Sequence, residues 1–330
     1  GMRAVVVGSG RMGRIRAAAV ASNPRWRLAG LVDVDAEQGG ALARLHGVPL
    51  LASLEDAVSA LDVSAVWIAA GTPSHRRLIE TALNAGLPVG VEKPVAMSPE
   101  DTRACYDLAA ARGLGLMCSF QRRYDESYLA LKQAVDDGKL GRLRSVHCVF
   151  RDFPVPPLEF LSQGGDLFVD CGVHDIDFVR CLTGEDPAWV AAVASTWHAG
   201  LREVGVAEQV HGMFQYPSGL VVTMEVSRTS PFGYDQRIEV CGDLGVMAVE
   251  NEPRTVARVR NAAGDCRSLP RYSFPERFGA AFAAEIDAFA DVVEAGAAPL
   301  VSAEDALRAT IVAQAAASSA SRGGERVFIE

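Results

Sequence analysis

Two sets of residues in this chain have the types and spacing to move a proton at an alcohol. The first is Lys93, in Val89-Gly90-Val91-Glu92-Lys93-Pro94. It is one of only three lysines, with Lys132 and Lys139, in a chain whose other basic residues are arginines. A compact ammonium can hydrogen-bond a reacting hydroxyl and share its proton, which a wide guanidinium cannot. The second set is Asp170 and His174, in a segment that runs from Gly164 and Gly165 to Asp177. Four positions apart, they share one face of a helical turn. A carboxylate beside imidazole fixes its tautomer and stabilises its protonated form. Such a pair suits a general base, worth about 10²–10⁴ in rate where a secondary alcohol loses hydride and proton together. Taken singly, the same residues also read as a surface lysine at a strand end and a helix-end histidine among solvated acids.

What positions Lys93 is a run of short strands that begins at Arg3–Val7 and passes directly into Gly8-Ser9-Gly10-Arg11-Met12-Gly13. Gly8 suits the tight turn, Gly10 lets the backbone approach a pyrophosphate, and Gly13 lets the next helix pack on its strand. The N-terminus of that helix offers free N–H groups to phosphate. Asp33 ends the second strand, twenty positions beyond the last glycine. A carboxylate there accepts the ribose hydroxyls of NAD and repels the 2′-phosphate of NADP, and neither Val34 nor Asp35 is an arginine that would reverse this. NAD is therefore the expected cofactor, with NADP disfavoured. Ala70-Gly71-Thr72-Pro73-Ser74-His75 follows another strand and is expected to skirt the nicotinamide side, although such turns are common for other reasons.

Periodicity divides the chain in two. Strands at 3–7, 27–32, 65–69, 88–91 and 114–118 alternate with helices at 11–22, 36–46, 54–60, 74–85 and 99–112. That pattern predicts an α/β Rossmann domain, a doubly wound parallel sheet, over residues 1–120. Residues 121–330 read as an α+β domain with a large, mainly antiparallel open sheet. Its elements are a helix at 126–136, strands at 143–150, 190–196, 210–216, 220–226, 237–241 and 246–249, helices at 275–295 and 302–321, and a last strand at 326–329.

Length and composition narrow the function classes. At 330 residues, 49% hydrophobic and 22% charged, the chain is large enough for two cores. A formal charge of −9 disfavours nucleic acid and anionic membranes as partners. No apolar run approaches the roughly 20 residues that span a bilayer, so a cytoplasmic location is expected. The seven cysteines have no CxxC spacing, no metal is expected, and reduced structural thiols fit best.

Taken in order, GSGRMG, AGTPSH, EKP, QRRYD and DCGVHDID resemble the glucose-fructose oxidoreductase/inositol dehydrogenase/rhizopine-catabolism (Gfo/Idh/MocA) family over essentially the whole chain. Inositol 2-dehydrogenases are the nearest members. The resemblance implies a cis peptide before Pro94, a catalytic set of Lys93, Asp170 and His174, and cofactor contacts extending to Glu92 and Pro94. It also implies a homodimer or homotetramer built on the open sheet. A polyol is expected to be oriented by Arg122 or Arg123 and by Tyr234. Inositol dehydrogenases resemble His-Arg-Asn where this chain has Phe150-Arg151-Asp152. A related cyclitol or a sugar therefore fits as well as inositol, with Asp152 accepting a hydroxyl. The alternatives are a reductase acting on a keto-sugar or a dihydrodiol-type substrate, and a non-catalytic NAD-binding sensor.

Overall fold

The computed structural model describes residues 1–163 and 166–330; Gly164 and Gly165 lie outside the described residues. The first half alternates as its periodicity predicts: β1 (Met2–Val7), α1 (Arg11–Ser22), β2 (Trp26–Val32), α2 (Ala36–His46), β3 (Leu50–Leu51), α3 (Leu54–Ala60), β4 (Ala65–Ile68), α4 (His75–Asn84), β5 (Val89–Val91), α5 (Pro99–Arg112) and β6 (Leu116–Cys118). The six strands form a parallel sheet in the order β3-β2-β1-β4-β5-β6. This is the Rossmann order, and its direction reverses between β1 and β4, where such sheets bind ligands at their carboxyl edge. The two-residue edge strand β3 is too short to register as a pattern in the sequence.

Local chemistry sets the helix ends. Asp35 caps α2 by accepting from Glu37 N and Gln38 N, both at 3.0 Å, and Gly47 ends it in the left-handed region. Ser98 caps α5 through Asp101 N at 3.0 Å, with Pro99 in the first turn. By contrast, α1 has no side-chain cap and no acid in its first turn.

The second half comprises α6 (Glu126–Asp136), β7 (Leu143–Arg151), α7 (Leu158–Gln163), α8 (Val173–Thr183), β8 (Trp189–Ser195), α9 (Ala199–Glu203), β9 (Gln209–Gln215), β10 (Val221–Ser227), β11 (Asp235–Gly242), β12 (Val246–Val249), β13 (Arg258–Asn261), β14 (Gly264–Arg267), α10 (Phe274–Arg277), α11 (Gly279–Ala295), α12 (Ala303–Ser321) and β15 (Val327–Phe328). Seven strands make one mixed sheet, β12-β11-β7-β10-β9-β8-β15, antiparallel except between β7 and β10. On its covered face Phe168 meets Phe214 edge-on at 6.3 Å, and Gly212 leaves room for the Phe168 ring. The opposite face presents His211, Met213, Thr223 and Val193. Among the described residues no helix is long and apolar enough to cross a membrane.

The chain forms two compact units, one of residues 1–124 with 279–307, the other of 125–278 with 308–330. The continuous division expected at residue 120 had left 279–307 with the second domain. Its largest element, α11, packs in the first unit for a clear reason. Phe289 stacks on Trp26 at 5.5 Å and meets Trp67 edge-on at 5.3 Å, while Trp26 Nε1 donates to the Ile286 carbonyl at 3.0 Å. The single helix expected over 275–295 is two, α10 and α11, separated at the fully buried Phe278.

Candidate active site

The glycine turn is built as its spacing requires. Gly8 has φ of +96° and lies so close to β4 that a Cβ would sit 2.6 Å from the Ala69 carbonyl oxygen. A Cβ on Gly13 would fall 2.0 Å from the Gly8 carbonyl oxygen. Gly10 differs: nothing lies within 4 Å of the place its Cβ would take. Close packing therefore demands the first and third glycines, while the second opens onto space beside the uncapped α1 N-terminus. The N-terminal N–H groups of α1, without a side-chain cap, and that open space fit a dinucleotide pyrophosphate. The neighbouring Arg11 is exposed and Met12 half-buried.

Asp33 fastens the turn to the end of β2. Its Oδ2 accepts from Ser9 N at 2.7 Å and from the Ser9 hydroxyl, and its Oδ1 accepts from Asp35 N at 2.8 Å. The carboxylate is half-buried, and Val34 beside it is 95% exposed.

Beyond β4 and β5 lie the other loops of the first unit. Gly71 is open and Thr72–Ser74, including Pro73, form a single 3₁₀ turn leading into α4. Glu92 ends β5. It accepts from Arg16 Nε at 2.6 Å and from Trp67 Nε1 at 3.0 Å. Lys93 follows, half-buried, and the Lys93–Pro94 bond is cis, as the family resemblance implied. His75, expected near the cofactor, turns its ring inward. Its ring is 1% exposed, with Nδ1 2.9 Å from the Pro94 carbonyl oxygen and Nε2 2.9 Å from that of Ala70.

Behind this edge lies an ionic cluster that sequence reading missed. Arg16 is fully buried. Besides Glu92 it donates to Glu285 at 2.7 Å and Ser119 at 2.6 Å, and the Ser119 hydroxyl donates to Glu285 at 2.9 Å. One guanidinium thus serves two carboxylates. Burial pushes the Glu285 carboxyl up to about 7 against the pull of Arg16, and the charge on Glu92 adds to the rise. Arg123, one of the two arginines expected to orient substrate, is buried and donates to the Leu300 carbonyl at 2.9 Å and to Asp305 at 3.1 Å. Arg122 is buried at 1% exposure.

In the second unit Asp170 lies on a π-helical turn, Phe168–Gly172, and His174 lies in the first turn of α8. Such wide turns recur at functional sites. Asp170 Oδ2 accepts from Arg228 Nη1 at 2.8 Å; Arg228, just after β10, is 1% exposed, while the Asp170 side chain is 38% exposed. Burial works against the Arg228 charge, but Cys171, Asp170 and Asp152 outweigh it and hold the guanidinium protonated. Burial raises the carboxyl of Asp166, and two main-chain donors and Arg228 counter the rise. Arg228 thus links two residues expected to meet substrate, Asp170 and Asp152, to one buried cation. Asp152 accepts from Phe153 N at 2.9 Å. Tyr234 is 4% exposed, edge-on to Phe150 at 5.9 Å and Phe278 at 6.2 Å. The sequence carries no local sign of Arg228, which lies 58 positions from its partner.

Comparisons with known proteins identify relatives of both halves of the chain. Residues 2–120 match the family model described as "Oxidoreductase family, NAD-binding Rossmann fold", and residues 128–248 match the GFO/IDH/MocA C-terminal domain. Inositol 2-dehydrogenase of Rhizobium meliloti is 33% identical over 315 residues, covering 95% of each chain. The crystal structure of myo-inositol 2-dehydrogenase from Lactobacillus plantarum superposes with a TM-score of 0.93 at 28% identity, covering 100% of this chain and 99% of that one. Scyllo-inositol dehydrogenase of Lactobacillus casei, solved with bound NAD(H) and scyllo-inositol, gives a TM-score of 0.92 at 28% identity, over 99% and 98% of the two chains. With both halves matched and the nucleotide turn formed as described, the chain belongs to the Gfo/Idh/MocA family of NAD-binding oxidoreductases.

Proposed function

We propose that this protein is an NAD-dependent dehydrogenase that oxidises a CH–OH carbon of a polyol, an inositol-like cyclitol or a sugar. The observation that carries the reading is the open, uncapped α1 N-terminus beside Asp33, in a chain that aligns over 95% of its length with an inositol 2-dehydrogenase. The main-chain N–H groups after Gly10 hold the pyrophosphate. Asp33 Oδ1, which takes one main-chain bond, keeps a lone pair for a ribose hydroxyl, and the charge of Asp33 disfavours the 2′-phosphate of NADP. Bound NAD supplies the hydride acceptor.

The remaining chemistry is proton handling. His174 takes the hydroxyl proton of the substrate as its carbinol carbon is oxidised to a carbonyl. Asp170, held by Arg228, stabilises the imidazolium that results. Lys93 donates a hydrogen bond to the alcohol oxygen. Asp152 accepts from a second hydroxyl, and a carboxylate suits a substrate with several such donors. Arg122 and Tyr234 are the further substrate residues, since Arg123 is tied to Leu300 and Asp305.

The test is NADH formation across a panel of cyclitols, linear polyols and sugars, with NADP in parallel. Lys93→Ala and His174→Ala should each lower turnover by about 10²–10⁴-fold. Near-wild-type turnover in either variant would refute the assigned roles, and tight NAD binding without turnover on any substrate would favour the sensor. The uncovered sheet face, with Val193 51% and Met213 43% exposed, supports self-association. Light scattering should then report a dimer or tetramer.

A further inference from the structure

We propose that His75 is a positioning residue that staples the loop after β4 to the loop after β5 and so sets the placement of Lys93; the proposal rests on the reading of Lys93 as the donor to the alcohol oxygen. Both ring nitrogens of His75 face main-chain carbonyls at 2.9 Å, one from Ala70 and one from Pro94. Ala70 belongs to the turn that follows β4, and Pro94 is the residue directly after Lys93. The ring is 1% exposed, so water cannot replace it at either carbonyl without a rearrangement. Either neutral tautomer closes one of the two bonds, and the doubly protonated ring closes both.

On one side of Lys93 the ring fixes the Pro94 carbonyl. On the other side Glu92 is fixed by Arg16 and Trp67 at 2.6 and 3.0 Å. Lys93 therefore lies between two anchored neighbours, Glu92 through its side chain and Pro94 through its carbonyl. Removing the His75 anchor takes away one of these two restraints, while the pyrophosphate turn, tied by Asp33 to Ser9, keeps its own support. The sequence suggested a cofactor contact for His75; the geometry assigns it to the main chain instead.

The lysine inventory provides a readout that needs neither substrate nor cofactor. Amine labelling of the apo protein, followed residue by residue by mass spectrometry, reports Lys93 against Lys132 and Lys139 as internal controls. In His75→Met, which has no donor, Lys93 labelling should rise about fivefold while the other two lysines stay unchanged, the effect of losing about one hydrogen bond of restraint. His75→Gln, which keeps a donor for one carbonyl, should rise less, and it decides the matter if His75→Met does not yield soluble protein. In turnover, kcat should fall in the same order while the NAD dissociation constant changes less than threefold, about the scatter expected of a bond made elsewhere. Lys93 labelling at the wild-type rate in His75→Gln, or a uniform rise at all three lysines, would overturn the proposal. Altered labelling in His75→Gln together with full turnover in Lys93→Ala would leave the staple standing and refute the catalytic reading instead.

Discussion

Replacing Glu285 with Gln should flatten the pH dependence of stability. The carboxyl is fully buried, accepts from Arg16 and Ser119, and shares its one cation with Glu92, so burial and like charge together lift it to about 7 from an ordinary 4.5. A carboxyl raised by folding binds its proton more tightly in the native state. Its contribution is therefore fully present below 4.5 and is lost as the pH rises through about 7. At about 1.4 kcal/mol per pH unit, integration between pH 5 and pH 7.5 gives a loss of about 2 kcal/mol from this one group. Gln keeps the shape and the acceptor but cannot titrate. Urea unfolding at the two pH values, followed by tryptophan fluorescence, suits the measurement because Trp67 donates to Glu92 and Trp26 to the Ile286 carbonyl beside the cluster. Wild type should lose about 2 kcal/mol more than the variant between these pH values, since titrating groups distant from the cluster cancel in the difference. Glu92→Gln, which removes the like charge, should also reduce the slope. Equal slopes in wild type and Glu285→Gln would refute the assignment of the proton to this carboxyl.

Three further outcomes follow from the geometry. Asp33→Ser should raise the NAD dissociation constant about 10–100-fold, the worth of a hydrogen bond to a charged acceptor, and narrow the preference over NADP in a calorimetric titration of both. Gly13→Ala should cost about 1–3 kcal/mol in thermal unfolding and most of the NAD affinity, since its Cβ would fall 2.0 Å from the Gly8 carbonyl oxygen. Arg228→Met should lower kcat about tenfold while Arg228→Lys recovers much of it; because Asp170 is 38% exposed, the stability cost should stay at about 1–2 kcal/mol.

The parts that the sequence made legible are those built from neighbours. Gly8 to Gly13, Asp33 and the alternating strands of the parallel sheet are set by local periodicity and turn chemistry, and each appears within a residue or two of its expected place. Lys93 stood out by its rarity. What stayed hidden depends on distant pairing. Arg16 meets Glu285 across 269 positions, and Arg228 meets Asp170 across 58; one arginine looks like another until folding selects its partner. The helix α8 was hidden for a different reason, because its entry is a π turn through Gly172, whose spacing breaks the usual helical period. His75 was noticed, but its two carbonyl partners carry no sequence signal at all.

The first compact unit closes only with a segment synthesised long after its strands, since residues 279–307 complete what residues 1–124 begin. At a ribosomal rate of about 5–20 residues per second, the parallel sheet waits roughly 10–40 s for the helix that covers Trp26 and satisfies Arg16. During that interval a buried arginine and two indoles of the mature protein face solvent or a chaperone. A fragment cut after Tyr124 would be arrested in that unfinished condition, so the nucleotide half should be separable from this chain only when the late helix is grafted back onto it.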